Sequence, residues 1–110
     1  MSTCTWPIGN GQNLQFEILL PYSNWNDVPG LYIYCYVSND YWRPVYVGQC
    51  SSFRDRFSNH EKHDAAIRYG ATHIHVAVVN QQSQRDEWER RLIQTLQPPL
   101  NVQHKNVSSR

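Results

Sequence analysis

Gly30-Leu-Tyr-Ile-Tyr-Cys-Tyr-Val37, followed after a polar loop by Pro44-Val-Tyr-Val-Gly48, is the stretch on which the fold turns. Both runs alternate as strands do, with successive side chains on opposite faces. In the first, Leu31, Ile33, Cys35 and Val37 share one face, and Tyr32, Tyr34 and Tyr36 the other. In the second, Val45 and Val47 share a face, and Tyr46 and Gly48 take the opposite one. The apolar faces pair onto one core, which leaves a sheet face carrying phenolic hydroxyls with a glycine beside the last. Tyrosine favours strands in any case, so the pattern alone fits plain packing as well as chemistry.

Upstream, the signals are weak. Gly9-Asn10-Gly11 marks a turn, Leu14 to Leu20 alternates loosely enough for an edge strand, and Pro21 ends it. Residues 1–29 therefore read as an N-terminal extension packed on the sheet. The connection Ser38 to Arg43 is polar at its start and aromatic at its tip, as a hairpin loop that contacts a partner is.

Downstream, Ser52-Phe-Arg-Asp55 has the form of a capping box. The helix it opens runs to about His63, with Phe53 and Phe57 as its buried stripe and Arg56, His60 and His63 on a neighbouring one. A shorter helix follows, capped by Asp64 and ended by Gly70. Thr72 to Val79 is a third strand, with Ile74, Val76 and Val78 on one face and His73 and His75 on the other. Two histidines at that spacing without a third ligand read as a polar strand end rather than a metal site. The last helix begins at Ser83, with Asp86 as its capping-box carboxylate, and stops before Pro98-Pro99. Trp88, Leu92, Ile93 and Leu96 form its apolar arc, and Glu89 falls inside that arc. A carboxylate there is costly unless paired or bound to a metal, so Glu89 is either the partner of an arginine such as Arg56 or a metal ligand.

The chain of 110 residues is the size of one domain, and 40% hydrophobic content with seven Tyr and four Trp fits a folded globule. Cys4, Cys35 and Cys50 are odd in number and lack a Cys-x-x-Cys pair, which argues against a disulfide framework and a zinc site. No apolar run approaches a membrane span and no signal peptide is evident, so an intracellular, reducing home fits, cytoplasmic for a bacterial or phage protein. Net charge is +1, yet residues 1–42 hold three acidic groups and no Lys or Arg, while residues 43–110 hold all ten basic groups against six acidic ones. The C-terminal part is thus suited to facing an anion, although solvated helix surfaces carry such charges as well. Residues 103–110 form a polar tail.

Tyr32, Tyr46, Arg56, His60, Glu89 and Asn101 are the polar residues on otherwise apolar elements, and their order and spacing resemble the GIY-YIG nuclease family. The signature reads Gly30-Leu31-Tyr32 and Tyr46-Val47-Gly48, with Arg56 and His60 placed 10 and 14 residues beyond Tyr46 and Glu89 12 residues before Asn101. The resemblance covers about residues 30–102. It departs from the pattern at Gln49-Cys50, where some members carry a lysine, and in a hairpin loop longer than that of the shortest members.

This resemblance implies an α/β (α+β) fold with a small three-stranded, mainly antiparallel sheet flanked by helices. It implies hydrolysis of phosphodiesters in DNA with one divalent cation, Mg²⁺ with Mn²⁺ as a substitute, held by Glu89. Arg56 would grip the scissile phosphate, and Tyr32 would take a proton from the attacking water with His60 accepting or orienting it. Tyr46 would position water or phosphate, and Asn101 would orient the site. Gly48, Arg54 and His63 are the further substrate contacts. An unperturbed tyrosine is only roughly 0.1% phenolate at neutral pH, so such a base needs help from its neighbours. No sequence-reading module is evident, which leaves loops, the N-terminal extension, a homodimer or a partner protein to supply specificity. The competing reading is a silent module on the same fold that binds nucleic acid or protein.

Overall fold

The computed structural model describes residues 2–58 and 61–101. Their elements are β1 (Thr3–Gly9), β2 (Gln12–Leu19), β3 (Gly30–Ser38), β4 (Tyr41–Cys50), α1 (Phe53–Phe57), α2 (Glu61–Tyr69), β5 (His73–Val78) and α3 (Gln82–Leu96). The strands make one antiparallel sheet in the order β1-β2-β5-β3-β4.

The sheet thus has five strands where the sequence predicts three. Both β1 and β2 belong to it, because Glu17, Ile18 and Leu19 pair with Val76, His75 and Ile74 of β5. Their signal is weak for physical reasons. Pro7 interrupts β1, which a strand tolerates only at an edge, and that is where β1 lies. Only Trp6, Ile8 and Phe16 of these two strands are deeply buried, so most of their residues are free to be polar.

Central strand β3 is buried on both faces. Leu31, Ile33 and Cys35 pack with Trp6, Ile8, Phe16, Leu92 and Ile93, whereas Tyr32 and Tyr34 pack with Phe53, Phe57, Ala66 and Ile74. The phenolic face is therefore no open surface, since Tyr32 and Tyr34 are each 1% exposed. In β4 the expected alternation breaks as well. Tyr34 pairs with Tyr46 but Cys35 pairs with Pro44, leaving Val45 as the extra residue of a β-bulge. The bulge turns Val45 to the tyrosine side while Val47 stays on the opposite face. Downstream of it, Tyr46 and Gly48 face the same side as Tyr32 and Tyr34.

The helices differ in their ends. The first does not reach His63, because Ser58 closes it by donating its hydroxyl to the Asp55 carbonyl at 2.8 Å, a side-chain bond that competes with continued helix. Asp64 accordingly lies inside α2, not at its cap. Gly70, at φ +127°, ends α2 as expected. In α3 the residue before the first turn is Gln81, with no side-chain cap bond, and Asp86 is engaged elsewhere. Ser52 does cap α1, accepting from the Asp55 N–H at 3.2 Å.

His75 is no polar strand end. It is wholly buried, its Nδ1 accepting from the Trp6 indole N–H at 2.9 Å and lying 3.2 Å from Cys4 Sγ, with the Trp42 ring edge-on at 4.3 Å. Two aromatic residues that the sequence scatters over β1 and β4 close over it. Among the described residues the three cysteines are free, and no helix is long and apolar enough to cross a membrane.

Candidate active site

The site forms where β3, β4, α1 and α3 meet. Tyr32 on β3 pairs directly across from Gly48 on β4, and a Cβ at Gly48 would collide with the Tyr32 ring and hydroxyl. Gly48 is needed to seat that ring. The space that its missing side chain leaves is taken by that ring. Arg56, on the single turn of helix that Ser52 caps, donates from Nε to the Tyr32 hydroxyl at 2.6 Å, and its guanidinium carbon sits 5.6 Å from the centre of the same ring. Phe53 and Phe57, stacked in parallel at 6.1 Å beneath Trp25, anchor that short helix.

Burial pushes the Tyr32 phenol well above the usual tyrosine range, and the charge and hydrogen bond of Arg56 only partly offset it. Tyr46 is half-buried, with its ring 6.3 Å from that of Tyr32. Burial raises its phenol as well. Arg56, by charge and by hydrogen bond, pulls it down, while the Glu89 carboxylate pushes it up. Tyr46 therefore feels both the cation on α1 and the carboxylate on α3.

Glu89 lies on the buried side of α3, as its place in the apolar arc requires, at 9% exposure. Gln49, at the end of β4, donates from Nε2 to Glu89 at 3.1 Å and to Asp86 at 2.7 Å. Gln82 completes the group, donating to Gln49 Oε1 and to Asp86, each at 2.9 Å. These bonds, from Gln49 first and Gln82 next, hold the Asp86 carboxyl below its ordinary range. Two open recesses flank Gln49. One, of about 340 Å³, is lined by Gln49, Cys50, Ser51, Ser52, Asp55 and Arg56, and the other, of about 450 Å³, by Ser83, Asp86, Glu87, Glu89 and Arg90.

The donor set fits a hard divalent cation of the Mg²⁺ kind, which takes one or two carboxylates and keeps much of its water. It does not fit an all-protein cage, since no group of three or more His, Cys, Asp or Glu among the described residues could hold a metal.

The other expected site residues fall into three groups. Asn101 is buried and makes a two-point pair with the backbone of Val47, accepting from its N–H and donating to its carbonyl, both at 2.8 Å. It acts as a one-residue strand on the edge of β4, between Tyr46 and Gly48. Arg54 is exposed and paired with Asp27 at 3.1 Å. His63 is buried under Tyr22, with Nδ1 3.1 Å from the Tyr34 hydroxyl, so it faces the interior rather than an incoming substrate. His60 lies outside the described residues. Gln49 and Asp86 are the members that sequence reasoning missed. Asp86 stands three residues before Glu89, hence on its helix face, but a capping role explained it too readily. Gln49 stands out in the sequence only as part of the departure from the family pattern, and nothing there gives it a role.

Five antiparallel strands with α1 and α3 over opposite faces, and a Tyr-Arg-Glu set at one end, make this a domain with the fold of the GIY-YIG endonucleases. The solved structures it is similar to are of the GIY-YIG N-terminal endonuclease domain of UvrC from Thermotoga maritima. The magnesium-bound form is 23% identical, with a TM-score of 0.58 over 71% of this chain and 88% of that one. Two point mutants bound to the catalytic divalent cation are each 22% identical, with TM-scores of 0.59 over 72% of this chain and 88% of that one. No protein-family profile matches the chain, and no curated protein matches it in sequence.

Proposed function

We propose that this protein is a divalent-cation-dependent endonuclease of the GIY-YIG kind that hydrolyses phosphodiester bonds in DNA. The observation that carries this reading is the position of Tyr46, in the field of both Arg56 and Glu89, on a fold whose solved relatives are endonuclease domains bound to a catalytic cation.

Glu89 would hold the cation, which would supply stabilisation of the negative charge that develops as the phosphodiester is cleaved. Arg56 presents a fixed planar donor fork to the scissile phosphate, and the hydrogen bond to Tyr32 holds that fork in place. This assigns Tyr32 a different role from the general base that the signature suggests. A phenol at 1% exposure is poorly placed to meet water. Half-buried Tyr46 has better access and takes the proton from the attacking water. Arg56, by charge and by hydrogen bond, offsets part of the burial that raises this phenol. Asn101 keeps β4 straight at Tyr46. Mn²⁺ is expected to replace Mg²⁺ at an oxygen site of this type.

The test is nicking of supercoiled plasmid with Mg²⁺ and with EDTA, by wild type, Glu89→Ala and Arg56→Ala. Metal-dependent nicking by wild type alone is expected. Salt-sensitive DNA binding by all three with no nicking under any metal would replace this reading by a silent binding module.

A further inference from the structure

Asp86 and Glu89 stand one turn apart on α3, and carboxylates so placed repel each other. What lies between them is one carboxamide. Its Nε2 carries two hydrogens, and one reaches each carboxylate, at 2.7 Å and 3.1 Å. Carboxylates only accept, so the nitrogen must face them and the amide cannot be reversed. Its oxygen is fixed in turn by the Gln82 donor at 2.9 Å, and Gln82 also holds Asp86 at 2.9 Å. Three side chains on α3 and one on β4 thus form a polar group at the junction of the two recesses, which Arg85 joins by donating to Gln82 Oε1 at 2.8 Å.

The group is neutral on its β4 side. An ammonium there would bond both carboxylates as well, but would cancel charge that a cation needs. An amide orients them and leaves the charge in place. We propose that Gln49 is a positioning residue that aims the Glu89 carboxylate at a divalent cation and holds Asp86 as an acceptor for that cation's bound water. This rests on the endonuclease reading above only in taking Glu89 as the metal ligand. Partners of a ligand in the next shell commonly change metal affinity about 10–100-fold when removed.

The experiment is Mn²⁺ binding by the full chain, followed by electron paramagnetic resonance and by calorimetry, without DNA. Gln49→Met keeps the side-chain length and removes the donors. It is expected to weaken Mn²⁺ binding about tenfold or more, with an unchanged melting temperature in the absence of metal. Asp86→Asn should weaken binding several-fold. In nicking assays the Mn²⁺ concentration for half-maximal rate should rise in parallel, while the rate at saturating Mn²⁺ returns towards wild type. Should Gln49→Met not fold, Gln82→Leu, which frees the Gln49 carbonyl, is read in the same way. Wild-type affinity retained within twofold in the folded variant would overturn the role of Gln49 and leave the endonuclease reading standing. No Mn²⁺ binding by wild type would overturn both.

Discussion

The Tyr32 ring occupies the space above the α-carbon of Gly48, directly across the β3–β4 pair, so that one residue's missing side chain sets the position of the other's hydroxyl. Arg56 is fixed in turn by that hydroxyl at 2.6 Å. Gly48→Ala must therefore displace a buried aromatic ring. Overpacking of this kind costs about 1–3 kcal/mol, and the displacement moves Arg56. The expected result in urea unfolding is a loss of that size, with nicking reduced far beyond what the unfolded fraction explains. Full activity in a stably folded Gly48→Ala would show that the Tyr32–Arg56 contact does not matter for chemistry.

Which phenol meets the water is decided by pH. Burial raises both phenols, and Arg56 opposes the shift at both. A base with a raised pKa is mostly protonated at neutrality, so its active fraction grows about tenfold per pH unit until the pKa is approached. The rate should climb from pH 7 to 9 in wild type. Tyr46→Phe should lower it at every pH and flatten the climb. Tyr32→Phe should lower the rate while the climb remains, because it loses only the anchor of Arg56. The reverse pattern, a flat profile in Tyr32→Phe alone, would return the base to Tyr32.

Part of this candidate site was legible because some of its residues run against the local preference of their elements. Glu89 on an apolar arc and Arg56 beside the Phe53–Phe57 stripe conflict with simple amphipathic patterning, and that conflict marked them. The central hairpin was legible from its period of two. What was not legible follows rules that leave no local mark. The bulge at Val45 shifts one residue's face without altering composition, and only pairing with Tyr34 and Cys35 reveals it. β1 and β2 form an outer part of the sheet, so they carry few apolar residues. Gln49 matters only through two carboxylates 37 and 40 residues away.

Asn101 tests how far the edge of β4 depends on one side chain. Both polar groups of the Val47 backbone are satisfied by its carboxamide, at 2.8 Å each. Asn101→Ala leaves a buried donor and a buried acceptor without partners, at a cost of about 1–3 kcal/mol each. Chemical denaturation should show a loss of about 2–6 kcal/mol on that basis. Since Val47 lies between Tyr46 and Gly48, the folded fraction should also nick more slowly. A stability within experimental error of wild type would mean that water takes over both bonds and the edge holds itself.

Stability against pH should show a plateau bounded by buried groups of opposite behaviour. Burial, reinforced by the nearby His73, lowers His75 from 6.5 to about 4. The folded state then binds fewer protons than the unfolded state between those values. The stabilisation is complete above about pH 6.5 and is lost as pH falls towards 4, by up to about 3 kcal/mol at 1.4 kcal/mol per unit. At the other end, Cys35, Tyr32 and Tyr34 are raised by burial, so they stay protonated in the fold beyond the point where an unfolded chain ionises. Their stabilisation is complete below about pH 9 and is lost as pH climbs above it, first through the thiol and then through the phenols. Urea midpoints should be level from about pH 7 to 9 and fall on both sides. His75→Gln keeps an acceptor for Trp6 and removes the titrating group, so its stability should fall less than that of wild type between pH 6.5 and 4.5. Parallel curves for the two proteins in that window would show that His75 is protonated within the fold at little cost, and that the Trp6–Cys4–Trp42 cage admits the charge.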